Sequence, residues 1–116
     1  MKIYFRENII GIDATIDSVG YIDNKLPVCN FFDNVILNKP NSINIRFYGW
    51  EGEPVIRTIN YDGKKIRLIV YSNENINEVI QTFSGDSFKK EKKDILIEYN
   101  LYDRGNFVVR LLYYRN

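Results

Sequence analysis

The dipeptide Asp62-Gly63 stands between two runs of strand-forming residues, Val55 to Tyr61 and IRLIVY at 66–71. Asp-Gly supplies the positive φ angles that a two-residue type I′ turn requires, and that turn matches the right-handed twist of paired strands. The two runs are therefore expected to fold back on each other as a tight antiparallel hairpin. Immediately upstream, Ile43, Ile45 and Phe47 alternate with Asn44, Arg46 and Tyr48 until Gly49, Gly52 and Pro54 break the run. A period of two is that of a half-buried strand, so residues 42–71 read as three consecutive strands.

The flanking segments follow the same logic. Ile10, Ile12, Ala14 and Ile16 alternate with polar or small residues, giving a strand that Ser18 to Ile22 continues after a turn. In DNKLPVCNFFDNVILNKP, Asp23 or Asn24 caps a helix, Pro27 falls in its first turn, and Asn38 and Pro40 close it. Val28, Phe32, Val35 and Ile36 share one face of that helix. Farther on, Asn73 caps a second short helix in which Ile76, Val79, Ile80 and Phe83 recur at helical spacing, and Ser84-Gly85-Asp86 ends it. SFKKEKKD reads as a solvated, charged loop. A last hairpin pairs Ile95–Tyr102 with Phe107–Tyr114 across Asp103-Arg104-Gly105-Asn106. The expected fold class is α+β, an antiparallel sheet with two short helices packed on one face. At 116 residues the chain forms one domain, residues 1–116.

Composition excludes several kinds of chemistry. Histidine is absent, which removes histidine-based triads and histidine metal sites. Sixteen basic against fifteen acidic residues leave a net charge of +1, which gathers neither nucleic acid nor anionic lipid. Cys29 is the single cysteine, so no intrachain disulfide or cysteine-held metal forms. Lying beside the apolar face of its helix with no base to activate it, Cys29 reads as a small hydrophobe. Arg6, Glu7, Asn8 and Asp13 interrupt the apolar run a signal peptide needs, so a cytoplasmic location is expected, with no membrane partner. No P-loop, GxGxxG or GxSxG pattern is present, and no cofactor is called for.

The candidate site residues are aromatic and basic. Alternation sends Arg46, Tyr48 and Trp50 to the face opposite Ile43, Ile45 and Phe47. In the closing hairpin it puts Tyr102, Arg110 and Tyr114 opposite Tyr99, Leu111 and Tyr113. Tyrosine, tryptophan and arginine dominate interface hot spots because they combine contact area with directional hydrogen bonds. The same residues also stabilise a plain sheet as cross-strand pairs. Two weaker features are the carboxylates Glu51 and Glu53 around Gly52, too few oxygens for a calcium loop, and the lysines 89, 90, 92 and 93, diluted by Asp86, Glu91 and Asp94.

INIRFYGWEGEPVIRTINYDGKKIRLIVY, with FFDNVILNKPNS before it, resembles the family known as domain of unknown function 4362, small proteins of low-GC Gram-positive bacteria. The matching residues are Glu51, Gly52, Glu53, Pro54, Val55 and Ile56, then Tyr61, Asp62, Gly63 and Lys64. The resemblance implies a helix followed by an antiparallel sheet with an EGDPI-type turn and a Y-D-G-K hairpin. It implies no activity and no catalytic residues. Many relatives look like secreted lipoproteins with a leader and later cysteines; the sequence here opens without the pattern of a leader and carries the single Cys29, so an extracellular role is not expected.

The reading that fits a neutral, tyrosine-rich domain without catalytic groups is a small non-catalytic protein-binding module, an inhibitor or immunity-type protein acting on a bacterial or phage partner. Its partner is another protein or a second copy of itself, not nucleic acid. The alternative is a small-ligand binder or enzyme using carboxylates and tyrosines, whose pKa values would have to be strongly shifted.

Overall fold

The computed structural model describes residues 11–49, 54–72 and 75–116. Among them the chain runs β1 (Ala14–Ile16), α1 (Leu26–Ile36), β2 (Asn41–Tyr48), β3 (Pro54–Tyr61), β4 (Ile66–Ser72), β5 (Asn75–Gly85), β6 (Ser87–Lys93), β7 (Leu96–Asp103) and β8 (Asn106–Arg115). The strands form two sheets, one ordered β1-β2-β3-β4-β5 and the other β6-β7-β8.

This arrangement corrects the expected α+β class with two short helices. The fold is mostly β, and α1 is the one helix among the described residues. The stretch expected as a second helix is β5, whose Gln81, Phe83 and Gly85 pair with Val70, Leu68 and Ile66. Register slips between Val70 and Tyr71, so Ile80 is an extra residue that throws the period-two pattern out of phase. That slip, on top of a β-branched sequence, imitates helical spacing. Asn73, the expected cap, lies outside the described residues. The lysine run is likewise β6, an edge strand rather than a loop. Lysines on an edge discourage further strand pairing, which explains a strand with so few apolar residues.

Most other elements stand where the pattern puts them, but Ser18 to Ile22 forms no strand and meets β1 only through the isolated Ile16–Ile22 bridge. In α1, Pro27 occupies the first turn, but the N-cap position falls on Lys25, which makes no side-chain cap, and Asn24, one residue farther out, accepts the Leu26 N–H at 3.3 Å. Val28, Phe31, Phe32 and Val35 are buried while Ile36 is exposed, so the buried stripe is turned slightly from the expected one. Asn38 then takes a positive φ of 60° and ends the helix. Because β1 and β2 are joined through α1, they pair in parallel, the one departure from antiparallel order in this sheet. Cys29 is half-buried on α1, its thiol free.

The β3–β4 hairpin forms at the Asp62-Gly63 signal, with one change of detail. The Asp62 N–H donates to the Lys65 carbonyl at 3.2 Å, so the tight turn is centred on Gly63 and Lys64. Only Gly63 has positive φ, +98°, and the Asp62 carboxylate accepts the N–H groups of Lys64 at 2.8 Å and Lys65 at 2.7 Å. The turn with two positive φ angles closes the last hairpin instead, at Arg104 (51°) and Gly105 (83°).

Both sheets share one core. Ile43, Ile45, Ile59, Ile66 and Leu68 from the larger sheet meet Ile97, Tyr99, Leu101, Leu112 and Tyr114 from the smaller. Phe32 joins the layers, stacking on Tyr99 with ring centroids 4.0 Å apart and lying 4.6 Å from Phe88. Gly85 marks where the chain leaves the first sheet for the second, with the next N–H, that of Asp86, donating to the Tyr102 carbonyl at 3.0 Å. With its inner face on this core, the β6-β7-β8 sheet turns the opposite face outward, and there the side chains of chemical interest gather.

Candidate functional site

Strand register decides which residues meet on that outer face. Lys89 lies across from Asn100, Glu91 from Glu98 and Ser87 from Tyr102, while Arg110 pairs with Asn100 and Tyr113 with Glu98. Arg57, from the inner face of β3, reaches the same place from the larger sheet. Together Arg57, Glu91, Lys93, Glu98, Asn100, Tyr102, Phe107, Val109 and Arg110 line a cleft of about 590 Å³.

Its charges are organised by hydrogen bonds. The Asn100 amide, 3% exposed, donates to Glu91 Oε1 at 2.5 Å and Glu98 Oε1 at 3.3 Å, bridging two carboxylates that face each other across the strands. Glu98 also pairs with Lys93 Nζ at 3.4 Å and Arg110 Nη1 at 3.3 Å. Burial works against its charge, but the Asn100 amide and Lys93, with Arg110 behind them, outweigh burial and hold the Glu98 carboxyl below the usual glutamate range. Glu98 is thus ionised at neutral pH. Arg57 donates from Nη1 to the carbonyls of Arg110 and Leu111, both at 2.8 Å, and its guanidinium lies 5.2 Å from the Phe47 ring centre. Burial, then repulsion from Arg110, lowers its pKa from the ordinary arginine value.

Aromatic rings border the charges. Tyr102 and Phe107 meet edge to face at 5.9 Å, and Phe107 is 58% exposed. Lys89 Nζ sits 4.4 Å over Tyr102, and the Arg110 guanidinium 4.1 Å over Tyr113. The cleft therefore offers flat hydrophobic surfaces beside fixed charges of both signs.

The structure divides the six residues picked from the sequence. Tyr102 and Arg110 stand together in the cleft. Arg46 and Tyr48 lie on the outer face of the larger sheet, Arg46 half-buried and Tyr48 36% exposed, away from the cleft. Trp50, and with it the Glu51 and Glu53 pair, lies outside the described residues. Tyr114 is corrected: at 3% exposure it belongs to the core, and burial pushes its phenol pKa up, as it does that of Tyr99. Leu111 is the cause. It is the extra residue between the Asn100–Arg110 and Tyr99–Leu112 pairs, so the alternation changes phase and Tyr114 falls on the inner face opposite Ile97.

Arg57, Glu91, Glu98, Asn100 and Phe107 were not foreseen as site residues. Arg57 carried a signal, since a charge occupies an inward position between Val55 and Ile59 of a strand. The two glutamates and Asn100 become neighbours only once the lysine run is recognised as a strand paired with β7.

Residues 9–100 match the family described as domain of unknown function (DUF4362). The chain belongs to that family. The matched span includes Arg57, Glu91, Lys93, Glu98 and Asn100 and stops before Tyr102, Phe107 and Arg110, so the wall built by β8 falls beyond it. No curated protein matches the chain, and no solved structure does. Among the described residues no helix is long and apolar enough to cross a membrane, and no three acidic or cysteine side chains cluster as a metal site.

Proposed function

We propose that this DUF4362 protein is a small non-catalytic protein-binding module, of an inhibitor or immunity type acting inside a bacterial cell, and that it meets its partner through the outer face of β6-β7-β8. The observation that carries this reading is the cleft itself. Tyr102, Phe107 and Arg110 are residue types that anchor interfaces, and Glu98, Asn100 and Lys93 fix the surrounding charges before any partner arrives. Such preorganisation lowers the entropy lost on binding.

A small-ligand binder or enzyme is the second reading, favoured by a volume within the roughly 300–1,000 Å³ of ligand pockets. Glu98 argues against a general acid, because its lowered pKa leaves it without a proton at neutral pH. Affinity capture from the native host, with wild-type and Phe107→Ser baits side by side, tests the proposal. The proposal expects a protein retained by wild type and lost with the variant; equal retention by both baits counts against it.

A further inference from the structure

The guanidinium of Arg57 is the one cation of the cleft whose charge meets no carboxylate among the described residues. Lys93 and Arg110 both lean on Glu98, and Glu91 is engaged by the Asn100 amide. Arg57 instead donates from Nη1 to two backbone carbonyls and sets its guanidinium over the Phe47 ring. Among the described residues its hydrogen bonds come from Nη1 alone, and the residue is half-buried rather than enclosed in the core. A guanidinium held rigidly at a half-buried wall, with its other donors set as a planar fork, matches the geometry of a carboxylate. The cleft has Arg57, Lys93 and Arg110 against Glu91 and Glu98, so an incoming negative charge balances it.

We propose that the cleft takes an acidic segment of the partner protein, seating one aspartate or glutamate carboxylate on Arg57 while neighbouring apolar groups pack on Phe107, Val109 and Tyr102. This inference rests on the protein-binding reading above and adds the chemistry of the partner. An isolated carboxylate fits better than a polyanion. Glu91 and Glu98 lie within the same cleft and repel a string of phosphates, and the chain's net charge of +1 supplies no long-range attraction. Lowering of the Arg57 pKa by burial and Arg110 is consistent with a site whose positive charge awaits compensation.

The test uses the full chain, labelled with nitrogen-15, and three short capped peptides of threonine and tyrosine that differ at one central residue: glutamate, glutamine or lysine. The glutamate peptide should move the Arg57 Nε–H signal and the amides of Phe107 and Arg110, bind about tenfold more tightly than the glutamine peptide, and weaken as salt is added. Arg57→Lys, which keeps the charge and loses the fork, should remove most of that preference, whereas Lys64→Gln in the distant turn should not. Should Arg57→Lys fail to fold, the wild-type Arg57 signal still decides. Equal binding of the glutamate and glutamine peptides, an unmoved Arg57 signal at saturation, or the same response to inorganic phosphate alone overturns the inference. The two levels separate cleanly: a partner lost with Phe107→Ser but retained by Arg57→Lys refutes the acidic segment alone, and a partner indifferent to Phe107→Ser refutes the binding face itself.

Discussion

Replacing Gly85 by alanine sets two known effects against each other at the point where the chain changes sheets. In the unfolded chain alanine has fewer conformations to lose, which at an unstrained position stabilises a protein by roughly 0.4–1 kcal/mol. In the folded chain a Cβ at Gly85 falls inside van der Waals distance of the Tyr102 carbonyl oxygen and lies 2.8 Å from Leu101 Cδ1. Neither neighbour yields easily. The carbonyl accepts the Asp86 N–H at 3.0 Å, and Leu101 is 0% exposed in the core. Overpacking of this kind costs about 1–3 kcal/mol, so the net effect should be a loss of about 1–2 kcal/mol. For a domain of this size that is a fall in Tm of roughly 4–8 °C. Urea unfolding gives the value directly, as a lower midpoint with unchanged slope. Gly11→Ala is the control, since nothing lies within 4 Å of a Cβ there. A Gly85→Ala variant as stable as wild type would refute the close crossing of β5 over β7 and with it the placement of the second sheet.

Three further outcomes follow from the packing and charges. Phe32→Ala removes the ring that stacks on Tyr99 and meets Phe88 at a tilt, and should cost about 3–5 kcal/mol by chemical denaturation, more than truncating exposed Ile36. Gly63→Val forces a branched side chain into φ +98° and should cost on the order of 1 kcal/mol or more; an unchanged urea midpoint would contradict the turn. The carboxyl of Glu98 is held below its ordinary value, so its charge stabilises the fold above the unfolded glutamate pKa of about 4.3, and that contribution is lost as pH falls through the lower folded value. Unfolding midpoints taken from about pH 6 downward should therefore decline less steeply for Glu98→Gln, which also starts lower because Lys93 and Arg110 lose their partner.

Where a residue's neighbours in sequence are also its neighbours in space, the chain was legible. Alternation at Ile43, Ile45 and Phe47, the Asp-Gly hairpin and the apolar stripe of α1 are local signals, and β2, β3, β4, α1 and the final hairpin stand where those signals put them, although the α1 cap falls on Lys25 rather than Asp23 or Asn24. Long-range effects hid the rest. Extra residues at Ile80 and Leu111 shift alternation by one, turning β5 into an apparent helix and sending Tyr114 inward. In β6 the period of two is present, with Phe88, Lys90 and Lys92 on the side of Tyr99 and Lys89, Glu91 and Lys93 on the other, but a strand whose two faces are both charged shows no hydrophobic contrast. The cleft suffered most from this, because β6 supplies one of its walls. Tyr102 and Arg110 could be picked by residue type; the Glu91–Asn100–Glu98 bridge needed the register.

The central claim, that the outer face of β6-β7-β8 is the contact surface, is tested most directly by backbone hydrogen exchange of the full chain, alone and with the captured partner. Exchange should slow in residues 87–93 and 98–110, including Tyr102, Phe107 and Arg110, and stay unchanged around Arg46 and Tyr48 on the other sheet. Protection confined to β2 and its neighbours, with the cleft strands unaffected, would contradict it.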